Sequence, residues 1–184
     1  MKKILVTISV LLSLITGNAQ QEKFDITTYT SIKGWKKQAS EQALQLTHED
    51  AAKGTYCMIT VYKALPGSDD AKTNFDLSWE NLVKESLSVT AAPEMQAPAT
   101  EDGWQVQSGY ASFEKDDLKG MAMLANSTGF GKMINILILT NSNTYETKIT
   151  GFLESISFKK PAVAPATAKK PVTDQPAAPT AIKS

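Results

Sequence analysis

The segment Lys132–Thr140, KMINILILT, restricts the fold more than any other stretch of this 184-residue chain. Met133, Leu137 and Leu139 fall on one side of an extended strand, and Ile134, Ile136 and Ile138 fall on the other. A strand that is apolar on both faces cannot leave either face in water. Helices must therefore cover both sides, or the sheet must roll over itself.

The neighbouring segments supply the partners. Residues 54–62, GTYCMITVY, alternate: Cys57, Ile59 and Val61 point one way, and Tyr56, Met58 and Tyr62 the other. That period and its β-branched and aromatic content predict a strand. Gly103–Phe113 predicts another, with Trp104, Val106 and Tyr110 on one face, and Lys115-Asp116-Asp117 a hairpin turn. Leu118–Ala125 is the return strand, and Asn126-Ser127-Thr128-Gly129 the next turn. Short strands at 25–31 and 43–46, around Gly34-Trp35, complete the front.

Two amphipathic helices are available as covers. Ser68-Asp69-Asp70 marks a helix start; Phe75, Trp79, Leu82 and Val83 then form one apolar face of a helix over 69–88. Asn143, with Glu146 three residues on, predicts a capped second helix. Its buried stripe is Tyr145, Ile149, Phe152, Leu153 and Ile156. Hairpin-length links make the sheet mainly antiparallel. The expected class is α+β, a sandwich of two helices on a single, mainly antiparallel sheet.

The ends differ from this middle. Residues 1–19 carry Lys2-Lys3, an apolar run from Ile4 to Ile15, and small residues at Gly17 and Ala19. This is the pattern of a secretory signal peptide cleaved after Ala19. The apolar run is too short for a helix that spans a bilayer, which needs about 20 residues. Without a cysteine near the cleavage point, a lipoprotein is not expected. The expected location is the periplasm or the exterior of a Gram-negative bacterium. Residues 20–158 form the expected globular domain. Residues 159–184, rich in Pro, Ala, Lys and Thr, lack the large apolar side chains needed to offset ordering entropy, and a disordered tail is expected.

The net charge of zero conceals an asymmetry. Residues 20–158 hold 12 lysines against 18 acids, a net of −6, and residues 159–184 hold five lysines against one acid, a net of +4. There is no arginine. Arginine is the usual bidentate reader of phosphate and guanine, so a nucleic-acid partner is not expected.

Catalytic chemistry is sparse. Cys57 and His48 are the sole cysteine and histidine. His48, in THED, is expected at the surface in a turn. Cys57 alternates with apolar residues, and free cysteines are among the most buried residues; it is expected to fill space rather than react. One of each is too few for a zinc site, and neither Asp69-Asp70 nor Asp116-Asp117 has calcium-loop spacing. No metal or cofactor is expected. NSTGFGKM at 126–133 lacks the first glycine and the final Ser or Thr of a phosphate loop and precedes a strand, not a helix.

Several segments together, namely GWKKQ, YCMITVY, FDLSWENLV, the Gly103-Trp104 pair, MAML and YETKITGFLESISF, resemble a group of uncharacterised exported bacterial proteins whose layout is similar to the Mog1/PsbP-like α/β/α sandwich. The resemblance implies that Trp35, Trp79 and Trp104 are framework positions, and that the chain is a non-enzymatic accessory or binding module. It carries no catalytic residues. The expected function is thus an exported module that binds a protein or a small apolar ligand. Tyr56, Met58, Tyr62, Trp104 and Tyr110 are the candidate pocket walls, weighed against core packing. The alternative is a hydrolase of cell-surface material built on two facing carboxylates.

Overall fold

Strand β5 (Thr55–Tyr62) is the alternating segment, and it sits inside a large sheet. The computed structural model describes residues 21–160. The expected signal peptide, and all of the expected tail beyond Lys160, lie outside the described residues. On one side β5 pairs with β4 (Ala43–Asp50), and β4 with the edge strand β3 (Lys36–Ala39). On its other side β5 pairs with β11 (Lys132–Thr140), the strand apolar on both faces. Beyond it lie β10 (Leu118–Gly129) and β9 (Trp104–Lys115). Short pieces finish the sheet: β6 (Leu65–Pro66) on β11, and β7 (Glu94–Met95) and β8 (Ala99–Glu101) on β9. Every pairing is antiparallel.

The alternation in β5 and β11 divides the interior into two cores. On one face Met58, Tyr62, Leu137, Leu139, Leu124 and Phe113 pack under α1 (Ala71–Trp79). Phe75 and Trp79 come down from that helix, and Leu82 and Val83 from the helical stretch that continues it, as their spacing predicts. On the opposite face Cys57, Ile59, Val61, Ile136 and Ile138 meet α2 (Glu146–Glu154) through Ile149 and Phe152. The molecule is therefore α+β, with one helix on each face of a mostly antiparallel sheet.

The structure departs from the expectations at several points. A second, three-stranded sheet exists, so the sandwich is not built on a single sheet. It consists of β1 (Gln21–Phe24), β2 (Thr27–Thr30) and β12 (Ser157–Phe158). The segment expected as one short strand, 25–31, begins instead with a turn in which Asp25 has φ 53°, and the hairpin so made joins the end of the domain to its start. The strand at 43–46 continues to Asp50. The first helix begins where expected: Asp70 caps it, its carboxylate accepting from the Lys72 and Thr73 amides at 2.9 and 3.2 Å. It then passes through a π-helical stretch, Glu80–Glu85. Ser142, not Asn143, supplies the next N-cap; its hydroxyl accepts from the Thr144 amide, because a single 3-10 turn (Asn143–Tyr145) precedes α2.

The largest departure is at 126–129. These residues are strand, not turn, and Asn126, Ser127 and Thr128 are buried. The reversal falls at Phe130-Gly131, with φ of 51° and 75°. Polar residue types signal a turn only when no other polar groups await them in the core, and here such groups do. The ladder from β10 to β11 also depends on Gly120. A Cβ there would lie 2.3 Å from the Thr140 carbonyl oxygen, so only glycine fits.

Candidate functional site

The five candidate wall residues do not form one wall. Tyr56, Met58 and Tyr62 face α1. Trp104 and Tyr110 lie in the register of β9 that faces the other way, since Ala111 and Phe113 belong to the α1 core. Met58 and Tyr62 are buried core residues. Burial pushes the Tyr62 phenol well above its ordinary range, and its hydroxyl has no partner. Tyr56 donates its hydroxyl proton to the Lys119 carbonyl at 3.3 Å. Tyr110, half-buried on β9, donates to Glu94 at 2.6 Å, a bond that raises its pKa. Trp104 is buried against Phe130 and Phe158, with both ring centroids 5.3 Å away.

The sole cysteine and sole histidine are direct cross-strand partners, His48 on β4 opposite Cys57 on β5. Separate segments of sequence gave no sign of this. His48 is not in a surface turn: its ring lies 5.9 Å from Trp35 and 5.6 Å from Tyr145, and Nδ1 is 3.4 Å from the Tyr145 hydroxyl. Thr55 Oγ1 contacts the same hydroxyl at 3.1 Å. Adjacency does not make a nucleophile here. Cys57 has no exposed surface, and burial pushes its thiol up to about 12. At neutral pH only about one thiol in 100,000 would be ionised, and the thiolate is the reactive form.

A polar belt runs beneath α1. Asn126 Nδ2 donates to Asn135 Oδ1 at 2.7 Å across the β10–β11 pair. Thr128 donates to Asn126 Oδ1 at 2.9 Å, and Asn74 on α1 donates to Thr128 Oγ1 at 2.9 Å. Asn74 is fixed in turn by Ser68, whose amide and hydroxyl both donate to its side-chain oxygen at 3.0 Å. These bonds occupy the polar groups and dock the helix; they leave no opening.

Carboxylates are engaged in the same local way. Asp76 accepts from Lys72 at 2.6 Å and Glu80 from Lys84 at 3.0 Å, each four residues apart on the helix. Asp70 is the helix cap, and Asp116 turns the β9–β10 hairpin at φ 54°. Among the described residues no group of three or more His, Cys, Asp or Glu is arranged to hold a metal ion. Among them, too, no helix is long and apolar enough to cross a membrane.

Two concavities stand out. A cleft of about 30 Å³ lies beside Trp104, with Glu101 and Asp102 at its rim. A wider groove of about 290 Å³ opens between the α1–π-helix junction and the returning segment 90–93. Trp79 lies at its base, Asp76, Glu80 and Lys84 along one wall, and Thr90, Ala92 and Pro93 along the other. The indole N–H of Trp79 has no partner. Beyond Pro93 the apolar lining continues to Met95, which is 47% exposed. Both side chains lie over Gly109, where an added Cβ would meet each at 3.0 Å. Sequence reasoning placed Trp79 in the core but missed the groove, because the wall at 90–93 has no periodicity to read.

No known family, no curated protein and no solved structure matches this chain.

Proposed function

We propose that this chain is an exported, non-enzymatic binding or accessory module that holds an extended segment of a partner protein in the groove beside Trp79. The groove itself carries the reading. At about 290 Å³ it exceeds the space of one side chain, yet it is open along one side rather than enclosed. An enclosed cavity of 300–1,000 Å³ suits a small molecule; an open trough suits a chain laid along it. Ala92 and Pro93, with exposed Met95 just beyond, offer apolar contact beside the buried Trp79, and the charges of the helix wall are already paired.

The helix–sheet–helix layering supports a Mog1/PsbP-like assignment and, with the leader-like residues 1–19, export to the periplasm or beyond. The hydrolase reading has less support. Glu101 and Asp102 are consecutive residues beside a cleft of about 30 Å³, too small for a sugar ring. Asp76 and Glu80 in the groove are each held by a lysine.

Replacing exposed Ala92 by Trp fills the groove from its outer wall and alters no core residue. A periplasmic extract passed over the wild-type chain and over A92W in parallel should yield a partner retained by the first and lost by the second. Equal retention by both would move the binding site elsewhere. Release of a product from cell-wall material, abolished by E101Q, would favour the hydrolase.

A further inference from the structure

The methionines of this chain sit in unlike surroundings. Met58 and Met133 are buried, and Met121 and Met123 are half-buried. Met95 is the one exposed methionine among the described residues. It stands at the end of the groove, beyond Pro93, on the short strand β7.

The backbone explains how an exposed thioether is held there. Met95 pairs directly with Gly109 on β9. Gly109 offers no side chain, so the Met95 side chain lies over bare strand. A Cβ at Gly109 would meet the Met95 sulfur at 3.0 Å, the Pro93 Cβ at 3.0 Å and the Phe75 ring at 3.2 Å. The sulfur therefore shares one small site with Pro93, from the groove wall, and with Phe75, from α1. Sulfur beside an aromatic ring is a favourable contact. Phe75 in turn stacks on Trp79, with ring centroids 5.8 Å apart and planes inclined by 24°. A chain of contacts thus runs from an exposed sulfur atom to the base of the groove.

We infer that Met95 is a modification site whose oxidation releases the partner segment; the inference rests on the groove being the binding site. The reagent is a two-electron oxygen donor, hydrogen peroxide or hypochlorous acid. One oxygen atom passes to a lone pair of the Met95 sulfur, and the thioether, losing two electrons, becomes a sulfoxide. Peroxide is reduced to water, and hypochlorous acid to chloride and a proton. Two thiols reverse the step: they supply two electrons and two protons, the oxygen leaves as water, and the thiols join as a disulfide. A sulfoxide is polar where the thioether was apolar. Its oxygen placed against Pro93 and Phe75 would lack a donor, which is costly. The modified side chain turns to water instead, and the groove loses its apolar end. Selectivity follows from exposure, since the sulfurs of Met58 and Met133 meet a reagent only when the core opens.

Two measurements test this. Brief peroxide treatment of the native full-length chain, followed by peptide mass mapping, should convert Met95 about tenfold or more faster than Met58 or Met133. The consequence is read in the producing cell, with a benzophenone side chain replacing Thr90 in the groove wall. Met95→Gln, which carries a polar group in place of the thioether, should lower the yield of partner adduct several-fold, and Met95→Leu should preserve it. Peroxide given to the cells should lower the yield from the wild-type sequence and spare the Met95→Leu chain. Equal yields from the two variants, or oxidation of Met95 no faster than that of Met58, would overturn the inference and leave the groove reading standing. No adduct from the untreated wild-type sequence would overturn both.

Discussion

Replacing Asn126 with Leu should be among the most damaging single changes that alter no apolar residue. Asn126 has no exposed surface and lies directly opposite Asn135 on the next strand. Leucine keeps the branching of the side chain but is bulkier, so overpacking adds to the cost at this fully buried position. What is lost is bonding: the Asn135 oxygen loses a donor at 2.7 Å, and the Thr128 hydroxyl loses its acceptor at 2.9 Å. Each buried donor or acceptor left unsatisfied costs about 1–3 kcal/mol, so two should cost about 2–6 kcal/mol, with Asn74 still bonded to the Thr128 oxygen. With a urea slope of about 2 kcal/mol/M, a mid-range loss lowers the unfolding midpoint by about 2 M. Asn126→Leu combined with Asn135→Leu removes the first orphan outright. The double variant should therefore lose less than the sum of the singles, with a coupling of about 1–3 kcal/mol. Urea titrations of the four proteins measure both quantities. A single-variant loss under 1 kcal/mol, or strict additivity in the double, would refute the argument that this belt docks α1 through satisfied bonds.

Trp79→Ala and Phe152→Ala should each destabilise by about 3–5 kcal/mol, and their effects should add, because the two residues serve cores on opposite faces of the sheet. Losses under 1 kcal/mol in urea would show that the helix faces are misassigned. Cys57 makes stability fall at alkaline pH: its thiol ionises at about 12 when folded against an ordinary 9.0, so its contribution is complete below pH 9 and lost as pH rises through about 12. At pH 10.5 the loss from this group is about 2 kcal/mol, and Cys57→Ala should show a correspondingly shallower fall between pH 8 and 10.5; identical slopes would contradict the assignment. Thiol reagents should label native protein slowly and urea-unfolded protein fast.

The parts of the fold legible in the sequence were those governed by side-chain period. The split of Tyr56, Met58 and Tyr62 from Cys57, Ile59 and Val61 follows from strand alternation, and Phe75, Trp79, Leu82 and Val83 from helical spacing. Composition misled where buried polar groups partner one another. Asn126-Ser127-Thr128 has turn composition but belongs to a strand, and Phe130 has strand composition but occupies the turn. The small second sheet joins residues more than a hundred positions apart, so no local signal announces it. Less of the site was legible. Alternation alone separates Trp104 and Tyr110 from the α1 face, whereas pairing of His48 with Cys57 needs the β4–β5 register. The groove beside Trp79 needs the path of residues 88–95, which begins with Ser88 at φ 57° and follows no repeat.

Photo-crosslinking in the producing cell would capture a partner segment held in the Trp79 groove. A benzophenone side chain replaces Thr90 in the groove wall in one strain and Lys36 on the far edge strand in another. Position 90 should give a discrete higher-mass adduct that vanishes when Ala92→Trp is added, and position 36 should give none. No adduct at 90, or one that persists with the groove filled, would contradict binding in the groove.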